Sequence, residues 1–356
     1  MNQALVKTQN YLTEIPNMLT GDKVLLVTSS SFITRGHADN IGKQLGQLRP
    51  AVELTICQPV KANPELTLLN QLHEEHHNTH FTDVIALGGG SVMDSAKALS
   101  YSLLNLHVSL AQALNNAALT EPDHLNLICI PTTSGTGSEV TPFATIWDSE
   151  SQTKLSLNGV CADHIIHDLT LTLTLPKTET LYSALDALSH ALESIWNVNR
   201  TPNTQDIAEQ SIALICKWLP VALTEPENLT ARENLQYGAL LAGLAISQTK
   251  TALAHAISYP LTLKFSMPHG LACSFTLAAL LKHVKSDELK LSTKLADSII
   301  NLLHSLNLID YVNQYATNDQ VINAIKGQLD PSRAGNFILP INDDMLKNIL
   351  IESLMH

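Results

Sequence analysis

Three histidines and one aspartate stand at spacings that suit a metal site. Asp186 and His190 lie four residues apart in the helix-like run LYSALDALSHALES, and His255 and His269 follow in TALAHAISYPLTLKFSMPHG. Because residues four apart share one face of a helix, Asp186 and His190 are expected to project towards a common point. One carboxylate with three imidazole nitrogens suits Fe²⁺ or Zn²⁺, and an open position would let the ion act as a Lewis acid.

Two glycine-bearing loops stand earlier in the chain, each after an apolar run. In DVIALGGGSVMDSAKAL a predicted strand runs into Gly89, Gly90 and Ser91 and a helix opens at once, so free backbone N–H groups could hold a pyrophosphate. The full GxGxxG pattern is absent, and a tight strand-to-helix turn is the alternative. The second loop packs five hydroxyl residues and two glycines into positions 132–138. It could approach a ribose, an amide or a phosphate, or form a flexible polar turn.

The predicted secondary structure that positions these residues changes once along the chain, near Pro176. Before it, apolar runs rich in β-branched residues alternate with helical stretches, at 24–29, 51–57, 83–89 and 125–131. This alternation predicts βαβ units and a parallel sheet. After it, apolar residues recur at helical spacing with no convincing strand, through 178–218, 229–249, 251–264, 270–283 and 290–304. The sequence therefore predicts an α/β domain over residues 1–175 and an all-helical domain over 176–356.

Composition narrows the class of protein. A chain of 356 residues with 45% hydrophobic content can bury two sizeable cores. The formal charge of −12 argues against nucleic-acid binding, since a phosphate-binding face needs clustered cations. Five scattered cysteines without a CxxC pair fit a reducing compartment and are interpreted as small core residues. The polar amino terminus and the lack of a long apolar run predict a soluble cytoplasmic protein with no membrane partner.

Taken in order, these segments resemble the iron-containing (group III) alcohol dehydrogenase family. The motifs are GGGSVMDSAKAL, PTTSGTGSEVTPFATI, ALDALSHALES and HAISYPLT followed by PHG, and the resemblance runs from about residue 20 to residue 345. It implies an amino-terminal dinucleotide-binding domain and a carboxy-terminal helical domain, with metal and nicotinamide meeting between them. It also implies a homodimer or a larger homo-oligomer. The expected activity is the metal-dependent, NAD- or NADP-linked interconversion of a small aldehyde and a primary alcohol.

The resemblance assigns roles residue by residue. The metal ligands correspond to Asp186, His190, His255 and His269. The pyrophosphate loop corresponds to Gly89, Gly90, Ser91 and Asp94, the nicotinamide-ribose loop to Thr132, Thr133 and Ser138, and a cofactor-contacting lysine to Lys154.

Two departures from the commoner family pattern carry information. Many members have a second histidine four residues after the third ligand, where this chain has Tyr259. A phenol titrates near pH 10, so Tyr259 is predicted to position the substrate first and to act as an acid or base second; a core aromatic is the alternative. Many NAD-preferring members have an aspartate where this chain has Ser29. Without that carboxylate, Ser29, its neighbours and Arg35 could accept a ribose 2′-phosphate, so NADP is expected to be tolerated.

The substrate is predicted from two segments that contain Arg200 and Lys250. These segments resemble a branch of the family that reduces phosphonoacetaldehyde to 2-hydroxyethylphosphonate. Either cation could pair with a phosphonate group, so a small anionic aldehyde is the expected substrate. The alternative is that both are ordinary solvated side chains.

Other interpretations stay open at this point. The run HEEHHNTH at 73–80 has donors for a second metal, but a solvated helix end explains it as well. A dehydroquinate synthase-like lyase would use NAD and metal transiently within one turnover. A non-redox metal-binding protein would use the glycine loops only as turns.

Overall fold

The computed structural model describes residues 3–114, 122–151, 153–284, 289 and 291–355. The backbone divides into two compact units. The first comprises Met1–Thr133 and Ser138–Thr172, and the second comprises Ser134–Gly137 and Leu173–His356.

In the described part of the first unit, a six-stranded parallel sheet has the order β1-β8-β5-β4-β2-β3. The strands are β1 (Ala4–Thr8), β2 (Lys23–Thr28), β3 (Glu53–Ile56), β4 (Asp83–Gly88), β5 (Asn126–Pro131) and β8 (His164–Asp168). The chain passes from β2 to β3 on one side and then to β4 on the other, so the strand order reverses between β2 and β4. In open α/β sheets, ligands bind outside the carboxyl ends of the strands at such a point.

The predicted parallel sheet is confirmed, and the structure adds strands outside the four predicted apolar runs. Strand β1 is short and lies at the sheet edge, while β8 carries His164 and His167, which interrupt its apolar pattern. An antiparallel pair, β6 (Phe143–Asp148) and β7 (Thr153–Asn158), follows the second glycine loop. These segments become strands because neighbouring strands pair with them, and local propensity alone does not show this.

Helices complete the first unit. They are α1 (Tyr11–Met18), α2 (Ser30–Thr34), α3 (His37–Leu48), α4 (Leu66–His76), α5 (Gly90–Leu104) and α6 (Leu110–Leu114). Helix α3 buries Ala38, Ile41 and Leu45, which are three and four residues apart and so share one helix face. They pack in a core with Val24 and Leu26 of β2.

The second unit is helical, as predicted. Its helices are α7 (Lys177–Ile195), α8 (Pro202–Thr224), α9 (Leu229–Thr249), α10 (Leu253–Phe265), α11 (His269–Ala272), α12 (Leu277–His283), α13 (Thr293–Ser305), α14 (Leu308–Val312), α15 (Asn318–Ile325), α16 (Pro331–Ala334) and α17 (Asp343–Ser353). Within the described ranges of this unit, β-pairing is limited to an isolated bridge between Asn197 and Phe337.

The helical periodicity over 178–218 covers two helices. Helix α7 ends at Ile195, and α8 begins at Pro202 after a capping box in which Thr201 and Thr204 bond each other's backbone N–H. Proline is well placed at the first helical position because its missing N–H would be unsatisfied there anyway. The apolar spacing continues across the break, so periodicity did not reveal it.

Helix α8 is long and apolar enough, by length and composition, to cross a membrane. A core helix passes the same test, and α8 buries Ala208, Ile212, Ile215 and Leu219 in the core of the helical unit. The helix is thus weak evidence for a membrane.

Candidate metal centre and cofactor loops

Three imidazoles surround one carboxylate oxygen in the helical unit. The Nε2 atoms of His190, His255 and His269 lie 3.8, 3.4 and 3.7 Å from Oδ1 of Asp186. Helix α7 places Asp186 and His190 one turn apart on one face, while α10 supplies His255 and α11 begins with His269. The structure therefore brings the four predicted metal ligands together.

The donor set fits a metal ion. The His255 side chain is 2% exposed, and its Nε2 lies near Asp186 without hydrogen-bond geometry to any described residue. A buried polar atom without a partner is costly, and a metal ion would satisfy it. Burial alone would raise the pKa of Asp186, but the adjacent His190, His255 and His269 lower it below its usual range. The carboxylate is therefore ionised and available as a ligand.

Glu193 is a candidate functional residue that the sequence analysis did not single out. Its fully buried carboxylate accepts a 2.7 Å hydrogen bond from Nδ1 of His255. Metal-binding histidines usually donate their other ring N–H to such a group. Glu193 lies seven residues after Asp186 and three after His190, on the same helix face, and this spacing was the available signal.

Cys273 is a second residue beside the predicted metal ligands that the sequence analysis did not single out. It was interpreted as a small core residue, yet its Sγ lies 3.5 Å from Oδ1 of Asp186 and within 4.8 Å of donor atoms of His255 and His269. Burial first, and then the charge of Asp186, raise the pKa of this thiol well above its usual value. Since the thiolate is the form that binds metals, Cys273 would have to lose its proton to become a ligand, and it stands as a rival donor beside the predicted set.

Tyr259 lies on α10 beside the predicted metal ligands. Its ring stacks with that of His269 at a centroid distance of 6.4 Å, and the Arg333 guanidinium lies 4.7 Å from the Tyr259 centroid. Burial raises the pKa of Tyr259 far above its usual value, although Arg333 opposes this. The phenol keeps its proton near neutral pH, which favours the predicted positioning role over a base.

The predicted cofactor segments of the first unit lie at the carboxyl ends of neighbouring strands. Ser29 follows β2, and Gly89 caps the start of α5 after β4; β2 and β4 pair directly. The first-turn N–H groups of α5, including those of Gly90 and Ser91, have no intrahelical acceptor. This arrangement places an anion-binding helix end at the point where the strand order reverses.

A hydrogen bond and a close contact join the two glycine loops. The Thr132 N–H donates to the carbonyl of Gly88, and a Cβ on Gly89 would lie 3.3 Å from Thr133. Ser29 and Ser31 hydroxyls lie 3.2 Å apart, and Arg35 reaches Ser31. The structure thus groups these predicted cofactor residues at one edge of the sheet.

Asp94 faces the protein interior. Its two carboxylate oxygens accept hydrogen bonds from Ser138 Oγ at 2.7 Å and from Thr145 N–H at 3.0 Å. The buried Lys97 ammonium donates to the backbone carbonyls of Ser138, Thr141 and Phe143. An effect of Asp94 on the cofactor would therefore act through the position of Ser138.

Lys154 lies on β7, with its ammonium 5.5 Å from the ring of Trp147.

Arg200 and Lys250 lie on adjoining turns of the helical unit. Asn197 Nδ2 donates to the Lys250 carbonyl, and Arg200 donates from its backbone to the Asn197 carbonyl and from its guanidinium to Ile195. Lys250 has φ of 66° and ψ of 164°, a conformation that almost only glycine adopts. The structure therefore brings the two predicted cationic residues to neighbouring turns.

The HEEHHNTH run spans the end of α4 and the following turn. Among the described residues, its side chains do not converge into a set of three metal donors. The structure gives no support to a second metal site there.

Comparison with known proteins gives two family matches. Residues 2–169 match the model of the iron-containing alcohol dehydrogenases, and residues 180–326 match the carboxy-terminal model of the Fe-containing alcohol dehydrogenase family. The chain is similar to a probable alcohol dehydrogenase, EutG, of Escherichia coli, at 38% identity over 56% of this chain and 50% of that protein. It is similar to phosphonoacetaldehyde reductase of Streptomyces viridochromogenes, at 36% identity over 73% of this chain and 67% of that protein.

Solved structures of similar fold cover nearly the whole chain. An iron-containing alcohol dehydrogenase superposes with a TM-score of 0.85 at 27% identity and covers 100% of this chain and 98% of its own. Sulfoacetaldehyde reductase from Bifidobacterium kashiwanohense, solved with NAD⁺, superposes with a TM-score of 0.85 at 26% identity and covers 99% of this chain and 97% of its own.

The alignment with EutG spans only half of that protein's length.

Proposed function

The chain belongs to the iron-containing alcohol dehydrogenase family, and we propose that it is a metal-dependent, NAD(P)-linked oxidoreductase that interconverts a small aldehyde and a primary alcohol. The observation that carries this proposal is the convergence of three imidazole nitrogens on one oxygen of Asp186. The glycine loops at the carboxyl ends of β4 and β5 support it, since they suit a dinucleotide.

The metal and the cofactor would supply different parts of the reaction. A bound Fe²⁺ or Zn²⁺ supplies a Lewis acid for the carbonyl oxygen, and NADH or NADPH supplies the hydride. His190, His255 and His269 would hold the metal with Asp186. The Tyr259 hydroxyl, which keeps its proton near neutral pH, would orient the substrate oxygen by a hydrogen bond.

We propose that the enzyme accepts NADP(H) because Ser29 stands where a carboxylate would repel the ribose 2′-phosphate. Ser29→Asp is expected to raise KM for NADPH by roughly tenfold or more, because two like charges at about 4 Å repel by about 1–4 kcal/mol. Steady-state kinetics with both cofactors measure this, and the NADH reaction of the same variant is the control. An unchanged ratio of NADPH to NADH efficiency would remove Ser29 from the 2′-phosphate site.

We further propose a small anionic aldehyde, with phosphonoacetaldehyde as the first candidate. The names of two similar proteins, phosphonoacetaldehyde reductase and sulfoacetaldehyde reductase, describe aldehydes that carry an anionic group. Arg200 and Lys250 lie on adjoining turns, and Lys250 precedes the metal ligand His255 by five residues. Either cation would pair with a phosphonate.

An aldehyde panel tests both the reaction and the substrate class. The metal-reconstituted protein is assayed with NADH and NADPH on phosphonoacetaldehyde, glyceraldehyde and a plain aliphatic aldehyde. Lys250→Ala and Arg200→Ala are expected to raise KM for phosphonoacetaldehyde by about 10-fold or more, since charge-assisted hydrogen bonds contribute about 1.5–3 kcal/mol. KM for the aliphatic aldehyde should barely change, and equal effects on both aldehydes would contradict an anion-binding pocket.

The same panel separates the alternative functions. A dehydroquinate synthase-like lyase would show no net consumption of reduced cofactor during turnover. A non-redox metal-binding protein would show no change in NADPH fluorescence on titration. Net oxidation of NADH or NADPH in step with aldehyde loss is the expected result.

Assembly and location complete the proposal. We propose a homodimer or a larger homo-oligomer in the cytoplasm, with no nucleic-acid or membrane partner, and a domain division into residues 1–175 and 176–356. The net charge of −12 supports the absence of nucleic acid. Light scattering at defined concentration measures the oligomeric state.

A further inference from the structure

A fully buried carboxylate joins two helices of the metal site. Glu193 lies on α7 and is 0% exposed. Its Oε2 accepts hydrogen bonds from Ala252 N–H at 2.9 Å and from His255 Nδ1 at 2.7 Å. Its Oε1 accepts a third, from His255 N–H at 3.0 Å. Both carboxylate oxygens therefore accept hydrogen bonds from residues at the beginning of α10.

The first consequence concerns the placement of α10. Ala252 is the N-cap of this helix and has no side chain that can accept its free N–H groups. Glu193 supplies that acceptor from another helix, and a negative charge is favourable at a helix N-terminus. The helix that carries Asp186 and His190 thus fixes the start of the helix that carries His255.

The second consequence concerns the His255 ring. With Nδ1–H donated to Glu193, the neutral imidazole keeps its lone pair on Nε2. That nitrogen lies 3.4 Å from Oδ1 of Asp186, on the side of the predicted metal. Glu193 therefore selects the tautomer and the ring orientation that a metal ligand requires.

We propose that Glu193 is a positioning residue of the metal centre: its hydrogen bond with Nδ1 of His255 orients the ring so that Nε2 can bind the metal. The inference rests on the proposed metal-dependent function. A residue that only capped α10 would contribute to stability and leave metal affinity unchanged, and this difference separates the two roles.

Asp83 provides a matched control. It is also 0% exposed, and it accepts backbone N–H bonds from Thr20 at 2.8 Å and from Gly21 at 3.0 Å. It belongs to the first unit, and its other hydrogen bonds come from Thr20 Oγ1, Thr82 Oγ1 and Asn126 Nδ2. Asp83→Asn therefore removes a comparable buried carboxylate without touching His255.

The test is the metal affinity of Glu193→Gln and Asp83→Asn. Each metal-free protein is titrated with Zn²⁺ against a competing chelator, and folding is checked by circular dichroism. Glu193→Gln is expected to raise the Kd for Zn²⁺ by about 10–100-fold, the usual effect of losing such a partner. Asp83→Asn should keep the wild-type Kd. A folded Glu193→Gln variant with wild-type Kd would overturn the inference.

A second measurement needs no variant. Nitrogen NMR of ¹⁵N-histidine-labelled, Zn²⁺-loaded wild-type protein reports which ring nitrogen of His255 carries the proton. A proton on Nδ1 is expected, and a proton on Nε2 would overturn the proposal even if Glu193→Gln does not fold. Wild-type protein that binds no metal would overturn this inference and the proposed function together, whereas normal metal binding without aldehyde reduction would contradict only the function.

Discussion

His190→Ala is expected to lose most of its metal and most of its activity. The imidazole of His190 lies 3.8 Å from Oδ1 of Asp186 and stacks on the ring of His255 at a centroid distance of 4.7 Å. Without this imidazole, a bound metal would keep three of the four proposed ligands. We expect kcat/KM to fall by about 10³-fold or more, which corresponds to about 4 kcal/mol of lost transition-state stabilisation.

Metal analysis and steady-state kinetics on the purified variant measure both effects. His73→Ala, the same substitution on α4 in the first unit, is the control and should retain metal and turnover. Cys273→Ala tests the rival donor and should also retain the metal. His190→Ala protein with full metal content and turnover would contradict the proposed centre.

Gly270→Ala is expected to damage stability and the metal site together. Gly270 follows His269, and an added Cβ would overlap the backbone carbonyl of Tyr182 on α7. Backbone atoms cannot move aside as a flexible side chain can, so α11 must shift and carry His269 with it. We expect a loss of about 1–3 kcal/mol in the free energy of unfolding, the usual cost of overpacking, with reduced metal content.

Gly46→Ala is the matched control. Gly46 lies in α3, and nothing lies within 4 Å of the position its Cβ would take. Alanine there is expected to stabilise the helix by about 0.5–1 kcal/mol. Denaturant unfolding midpoints and metal content are compared for the two variants. Gly270→Ala that unfolds at the wild-type midpoint with a full complement of metal would refute the steric argument.

Much of the fold could be predicted because its signals are local. The predicted run over 83–89 became β4 (Asp83–Gly88), and the helical spacing over 229–249 became α9 (Leu229–Thr249). Buried parallel strands are apolar throughout and helices repeat every three to four residues, so neither needs its partners to be recognised. The break between α7 and α8 was missed because apolar spacing continues through Thr201, whose capping bonds decide where α8 starts.

By itself, the sequence determined the residue types, the four-residue spacing of Asp186 and His190, and the two glycine loops after apolar strands. These features act over a few residues of chain, where backbone geometry dictates which side chains share a face. Only the tertiary structure decided that Glu193 meets His255 and that Cys273 lies against Asp186. Such pairs are far apart in sequence, and the packing of α7 against α10 and α11 selects them from many that the sequence allows.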